Sequence, residues 1–218
     1  MDNKTNVKAT PQVDVADFDE KAEFPALLEP ILEVTVRDKD GTVVEHWEKK
    51  SESLVRQWLE LLYVQASGMQ WPGYPVRDTG NNVRQVIADE NNFRSDAGAG
   101  NSAYSIQIGT GITSPTIDDY KLETQIAHGL AAGELQYSNT AIAYPAVSLS
   151  ISQVTVTRDF SNGSGGTVTV YEIGLVLYAL DSSHAGRYFL VIRDVIVTGI
   201  TVADGQTLTI NYRLQATV

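Results

Sequence analysis

Three histidines, His46, His128 and His184, come first among the residues able to do chemistry, since imidazole is the commonest metal ligand. None has a second His or a Glu at helical ligand spacing, and a metal site needs several converging ligands. They read as exposed or locally hydrogen-bonded rings. Gly109-Thr110-Gly111 suggests a phosphate loop. It lacks the spacing and the Gly-Lys-Ser/Thr ending of a P-loop, and Ser114 stands where G-x-G-x-x-G needs glycine. A turn that positions the following segment is the simpler reading. Asp118 and Asp119 are adjacent, so on a helix they point different ways, and near its N-terminus they would complement the macrodipole. Asp38 and Asp40 start like a calcium loop but lack its glycine and distal glutamate spacing. No G-x-S-x-G elbow occurs.

Composition narrows the classes further. With no cysteine, the chain has no disulfide, thiolate metal site or cysteine nucleophile. The formal net charge of -11 repels phosphate backbones, and no basic patch with interleaved aromatics is present, so no direct nucleic-acid partner is expected. No apolar run approaches a bilayer span, and residues 1–24 hold no apolar h-region of a signal peptide. No membrane partner is expected. The expectation is a non-enzyme with no catalytic residue, cofactor or metal.

Aromatic residues are the better binding candidates. Trp47, Trp58 and Trp71 could stack on sugars, but Trp47 and Trp58 sit on apolar faces and read as core. Trp71 and Tyr74 share a Gly- and Pro-rich loop, which makes them candidate contacts for a ligand or a subunit. Trp58, on the helix described next, and Phe18 and Phe24, near the N-terminus, complete the set of candidate contacts.

The elements that would carry these residues follow from periodicity. Residues 1–24 are polar, with six acidic side chains, and read as an extended arm that needs a partner to offset its ordering entropy. Residues 25–218 read as one domain. Ile31 to Arg37 alternates as a half-buried strand, Asp38 to Gly41 turns, and Thr42 to Trp47 returns. Ser53 to Ala66 is the one strong helix, with Ser51 or Ser53 as N-cap. Gly68 to Gly80 reads as loop, Val83 to Ala88 and Tyr104 to Gly109 as strands, and Pro115 opens a short helix. Ser148 to Arg158 alternates with a phase slip at Ser152-Gln153 that suggests a bulge. Thr167 to Leu180, Tyr188 to Val197 and Gln206 to Val218 complete a series of long strands, with Gly174 marking a kink or close approach. The fold class is mainly β, an antiparallel, jelly-roll-like sandwich with one amphipathic helix and an extended N-terminal arm.

Several segments resemble virion structural proteins of tailed bacteriophages. They are Ser51 to Val64 (SESLVRQWLELLYV), Gly109 to Glu123 (GTGITSPTIDDYKLE), Ile126 to Gly129, Tyr171 to Leu175, Arg193 to Val195 and Val202 to Tyr212. The likeness spans roughly residues 31–218 and leaves the arm outside. It implies a place in a particle, as capsid decoration, head–tail connection or tail component, and transfers no binding residue. It implies a homo-oligomer whose partners are copies of itself and other virion proteins, synthesised in the host cytoplasm and located in the virion. The alternative is a carbohydrate- or receptor-binding module on the same scaffold, using Trp71 and Tyr74.

Overall fold

Side-chain chemistry sets the register of the first hairpin. In this computed structural model, which describes residues 29–51, 53–148 and 151–217, β1 (Glu29–Arg37) and β2 (Val43–Lys50) pair antiparallel. Asp38 Oδ1 accepts hydrogen bonds from the N–H groups of Asp40 and Thr42, each at 2.9 Å. Gly41 takes φ +84°, a conformation in which a Cβ is strained. Leu32, Val34 and Val36 alternate inward, as their spacing predicts.

Helix α1 (Arg56–Ala66) begins later than the sequence suggests, and neither serine caps it. Residues 53–55 are drawn instead onto a strand of the core. Arg193 donates its N–H to Ser53 O at 3.1 Å, Val55 donates to Val191 O at 3.1 Å, and Leu54 bridges Ile192. Ser51 spends its hydroxyl on Asp194. The helix therefore starts where this pairing ends, with Val55 at the N-cap position and no side-chain cap.

The remaining strands are β3 (Tyr74–Arg77), β4 (Val83–Val86), β5 (Ser105–Gly109), β6 (Gln136–Tyr137), β7 (Ala141–Ile142), β8 (Ala146–Ser148), β9 (Ile151–Ser161), β10 (Val168–Leu180), β11 (Gly186–Val202) and β12 (Thr207–Thr217). One antiparallel sheet runs β2-β1-β12-β9-β6, and the short strands β7 and β8 also pair with β9. A second runs β11-β10-β5, and β3, inside what the sequence presents as loop, forms a separate hairpin with β4, the strand expected from Val83. Inward residues of both larger sheets meet in one core. Val34, Phe160 and Ile210 come from the first sheet, and Ile108, Leu175 and Val191 from the second. Each such apolar side chain contributes about 1.5–3 kcal/mol on burial.

Two more expectations are corrected. The Pro115 segment forms no helix; a turn stands at Ile117–Asp118. Asp119 closes this turn and fixes it to the sheet: its carboxylate accepts from the Thr116 N–H (3.0 Å) and hydroxyl (2.9 Å) and from Arg193 of β11 (2.8 Å), which holds the segment as a loop. There is also no bulge at Ser152-Gln153, because β9 pairs with β12 in unbroken register from Ile151 to Ser161. The phase slip arises because Ile151 lies on an exposed part of the strand.

Gly174 does mark a close approach. A Cβ there would meet Leu122 Cδ2 at 2.8 Å and Leu190 Cδ1 at 3.0 Å.

Candidate functional site

Charged residues inside apolar strands organise the loops around the second sheet. Glu172 of β10 is fully buried. Its Oε1 accepts from the N–H groups of Gly111 (3.0 Å) and Thr124 (2.8 Å), and its Oε2 from the Glu123 N–H (3.0 Å) and Arg193 Nε (3.0 Å). Arg193 of β11 also reaches Asp119 Oδ2 at 2.8 Å and the Thr113 hydroxyl at 3.3 Å. Glu123 accepts from the Ile112 and Thr113 N–H groups and the Thr113 hydroxyl. The Gly109–Glu123 segment is thus clasped onto the sheet by one buried ion pair. Its glycines leave the necessary room, since a Cβ on Gly109 would stand 2.5 Å from Glu172 Oε1. Burial opposes ionisation of Asp119, but the Thr116 N–H and hydroxyl and the Arg193 guanidinium outweigh it and hold the carboxyl below its usual range.

The neighbouring Asp194 is buried as well. Burial pushes its pKa up, against the Ser51 hydroxyl (2.7 Å), Lys49 (3.6 Å) and the Tyr212 hydroxyl (2.9 Å). Asp194 ties the end of β2 to β11 and β12. Arg158 of β9 is fully buried with no carboxylate beside it among the described residues. It donates to the carbonyls of Ser138, Tyr104, Ile106, Gly98 and Asn101 at 2.6–3.3 Å and stacks 4.8 Å over Tyr137. Burial lowers its pKa to about 10, so it remains a cation at neutral pH. All three centres spend their polar atoms on holding loops and strands together.

The surface carries the other notable feature. The buried stripe of α1 is Gln57, Leu61 and Val64. Leu59, Leu62 and Tyr63, spaced i, i+3 and i+4, face outward, and Leu59 is 65% exposed. Trp71 follows at 81% exposed. Tyr74 is half-buried and packs edge-on against Tyr63, with ring centroids 5.0 Å apart. Beside it lies a cleft of about 530 Å³ lined by Arg56, Glu60, Tyr74, Pro75, Arg77, Val83 and Asp118. A second exposed apolar set lies on the β7–β8 segment, where Tyr144 is 95% and Val147 76% exposed.

The structure brings Tyr74, Tyr63 and the outer face of α1 together, with Arg56 and Asp118 joined at 2.9 Å beside them. Trp58 faces the other way and packs edge-on against Phe93 at 5.8 Å. Phe18 and Phe24, with the whole 1–24 arm, lie outside the described residues. The three histidines remain apart in role: His46 pairs with the Thr35 hydroxyl, His128 accepts from the Tyr137 N–H, and His184 sits in a turn. Among the described residues, no group of three or more His, Asp or Glu is arranged to hold a metal.

Sequence reasoning missed Leu59, Leu62 and Tyr63 as surface residues. The signal was present, because residues 58–64 are apolar at every position but Glu60, too wide a band for one buried stripe. It also missed the Glu172–Arg193 clasp, whose signal is the one charged residue of β10, Glu172, and the Arg193-Asp194 pair between apolar residues in the middle of β11. Comparison with protein-family models, with curated proteins and with solved structures yields no match.

Proposed function

We propose that this chain is a non-enzymatic structural subunit of a tailed-bacteriophage virion, assembling through contacts with copies of itself and with other virion proteins. The observation that carries the assembly reading is the outward apolar face of α1, formed by Leu59, Leu62 and Tyr63. A contiguous exposed patch of this kind marks an interface, whereas scattered single residues do not. The resemblance of the Ser51–Val64, Gly109–Glu123 and C-terminal segments to phage structural proteins supports the virion as the setting. In this reading the two sheets form a jelly-roll-like sandwich, and the 1–24 arm adds contacts to neighbouring subunits.

The test is a Leu59→Glu, Leu62→Glu double variant of the full chain, followed by sedimentation velocity. Both side chains are exposed, so the circular dichroism spectrum should match wild type. Loss of the oligomer with the fold intact supports the reading. An unchanged sedimentation coefficient removes α1 as an interface.

One observation favours a second reading, a carbohydrate- or receptor-binding module. The cleft beside Tyr74 combines an aromatic wall with Arg56, Arg77, Glu60 and Asp118, a mixture suited to sugar hydroxyls. Glycan-array binding that disappears in a Tyr74→Ala variant would favour this second reading.

A further inference from the structure

Strand β2 is the outer strand of the larger sheet, and among the described residues no strand pairs with its free side. Beyond a bulge at Val44, the stretch Glu45 to Lys50 keeps unbroken register with β1 and presents a row of backbone donors and acceptors able to accept another strand. Edge strands are commonly blunted by charge, and β2 carries Glu45, Glu48, Lys49 and Lys50. Here, however, the charges have mixed sign and a self-complementary order.

We infer that two copies of this chain pair edge to edge through β2, antiparallel about a two-fold axis centred on Trp47. This rests on the assembly reading above and names one of its interfaces. A two-fold perpendicular to the sheet places opposite one another only residues that face the same side. Glu45, Trp47 and Lys49 lie opposite Val36, Val34 and Leu32 of β1 and share their face, while His46, Glu48 and Lys50 share the other. Centring on Trp47 sets Glu45 against Lys49 of the second copy, and His46 against its Glu48, each twice by symmetry. Trp47 then meets its own copy. Centring on His46 produces no opposite-charge pair, and centring on Glu48 sets that carboxylate against itself. Opposite charges directly across a strand pair stabilise it and like charges oppose it; centring on Lys49 opposes Glu48 to Lys50 but sets Lys49 against itself, which leaves the Trp47 register.

Local geometry agrees with this occupant. Trp47 is only half-buried, and its indole N–H is held by Glu45 at 2.7 Å, which keeps both on the same face. A groove of about 370 Å³ lined by Trp47, Lys49 and Val195 to Thr198 opens beside the strand, and Val197 on its wall is 86% exposed. A second copy would extend the sheet and bring a second Trp47 to this apolar strip.

The absence of cysteine permits a clean test on the full chain. His46→Cys and Glu48→Cys are made as separate variants; both positions are exposed. Directly opposed residues stand about 4.5–5.5 Å apart at Cα, within disulfide reach, whereas diagonal ones at about 7–8 Å are not. Mild oxidation of the two variants mixed together should link one His46→Cys chain to one Glu48→Cys chain. That mixed dimer should form about ten-fold faster than either variant crosslinks alone, since only the mixture holds the two thiols face to face. Crosslinking dominated by pairs of the same variant would overturn the register. An assembled protein with no enhanced crosslinking would overturn the β2 interface while leaving assembly through α1 standing. A chain that stays monomeric would overturn both.

Discussion

Replacing Glu172 by alanine tests how the Gly109–Glu123 segment is held. The substitution removes the acceptor for three backbone N–H groups, those of Gly111, Glu123 and Thr124, and the ion-pair partner of Arg193. Both charged groups are nearly inaccessible to solvent, so screening by water is slight. Breaking one side of a buried pair costs about 3–5 kcal/mol, because the remaining charge stays desolvated. Asp119 still faces the Arg193 guanidinium, so the expected loss sits at the lower end, about 3 kcal/mol. For a chain of this size each kcal/mol lowers Tm by about 2–4 °C, giving a drop of roughly 6–12 °C. Differential scanning calorimetry measures Tm, and hydrogen exchange reads protection of the Gly111 and Thr124 amides. Glu172→Gln should fall between the two proteins, since its amide places a donor where donors already point. A Tm within about 2 °C of wild type for Glu172→Ala, with amide protection unchanged, would refute the clasp.

Three further outcomes follow from the same geometry. Arg158→Met keeps the buried volume but removes the guanidinium donors from five carbonyls, of which Gly98 O keeps the Asn101 N–H, and should lose at least about 3 kcal/mol in urea unfolding; a loss under about 1 kcal/mol would show that those loops hold themselves. Gly111→Ala brings a Cβ within 2.6 Å of Glu172 Oε1 and 2.5 Å of Glu123 Cβ, so it should cost about 1–3 kcal/mol by the same assay, and a neutral result would contradict the tight packing. Burial opposes ionisation of Asp181, but Ser183, Arg187 and the Ala185 N–H outweigh it and depress its pKa below the unfolded value. Its stabilising contribution is therefore full above about pH 4 and declines as pH falls further. Asp181→Asn should flatten the acid limb of a Tm-against-pH curve, and parallel acid limbs for the two proteins would contradict the assignment.

Much of the sheet architecture was legible because period-two alternation survives wherever one face is buried. Val34 and Val36 in β1 and Leu208 and Ile210 in β12 show this directly. The failures share a cause, which is tertiary bonding that no local pattern records. Residues 53–55 read as the first turn of a helix, but β11 offers them backbone partners. The Pro115 segment carries helix signals, but Asp119 and Arg193 satisfy it as a loop. Glu172 and Arg193 stand in plain view inside apolar strands, yet only the β10–β11 pairing brings them together. The surface set at Leu59, Leu62, Tyr63 and Tyr74 is half visible, since Tyr74 stands out in its loop while helical spacing puts Leu62 on the apolar stripe with Leu59 beside it.

The most direct test of the assembly account is the molar mass of the full chain by multi-angle light scattering across a range of concentrations. The account predicts a defined multiple of the 23.8 kDa chain mass that falls when Leu59 and Leu62 are replaced by glutamate. A mass of one chain at every concentration, unchanged by those substitutions, would contradict it.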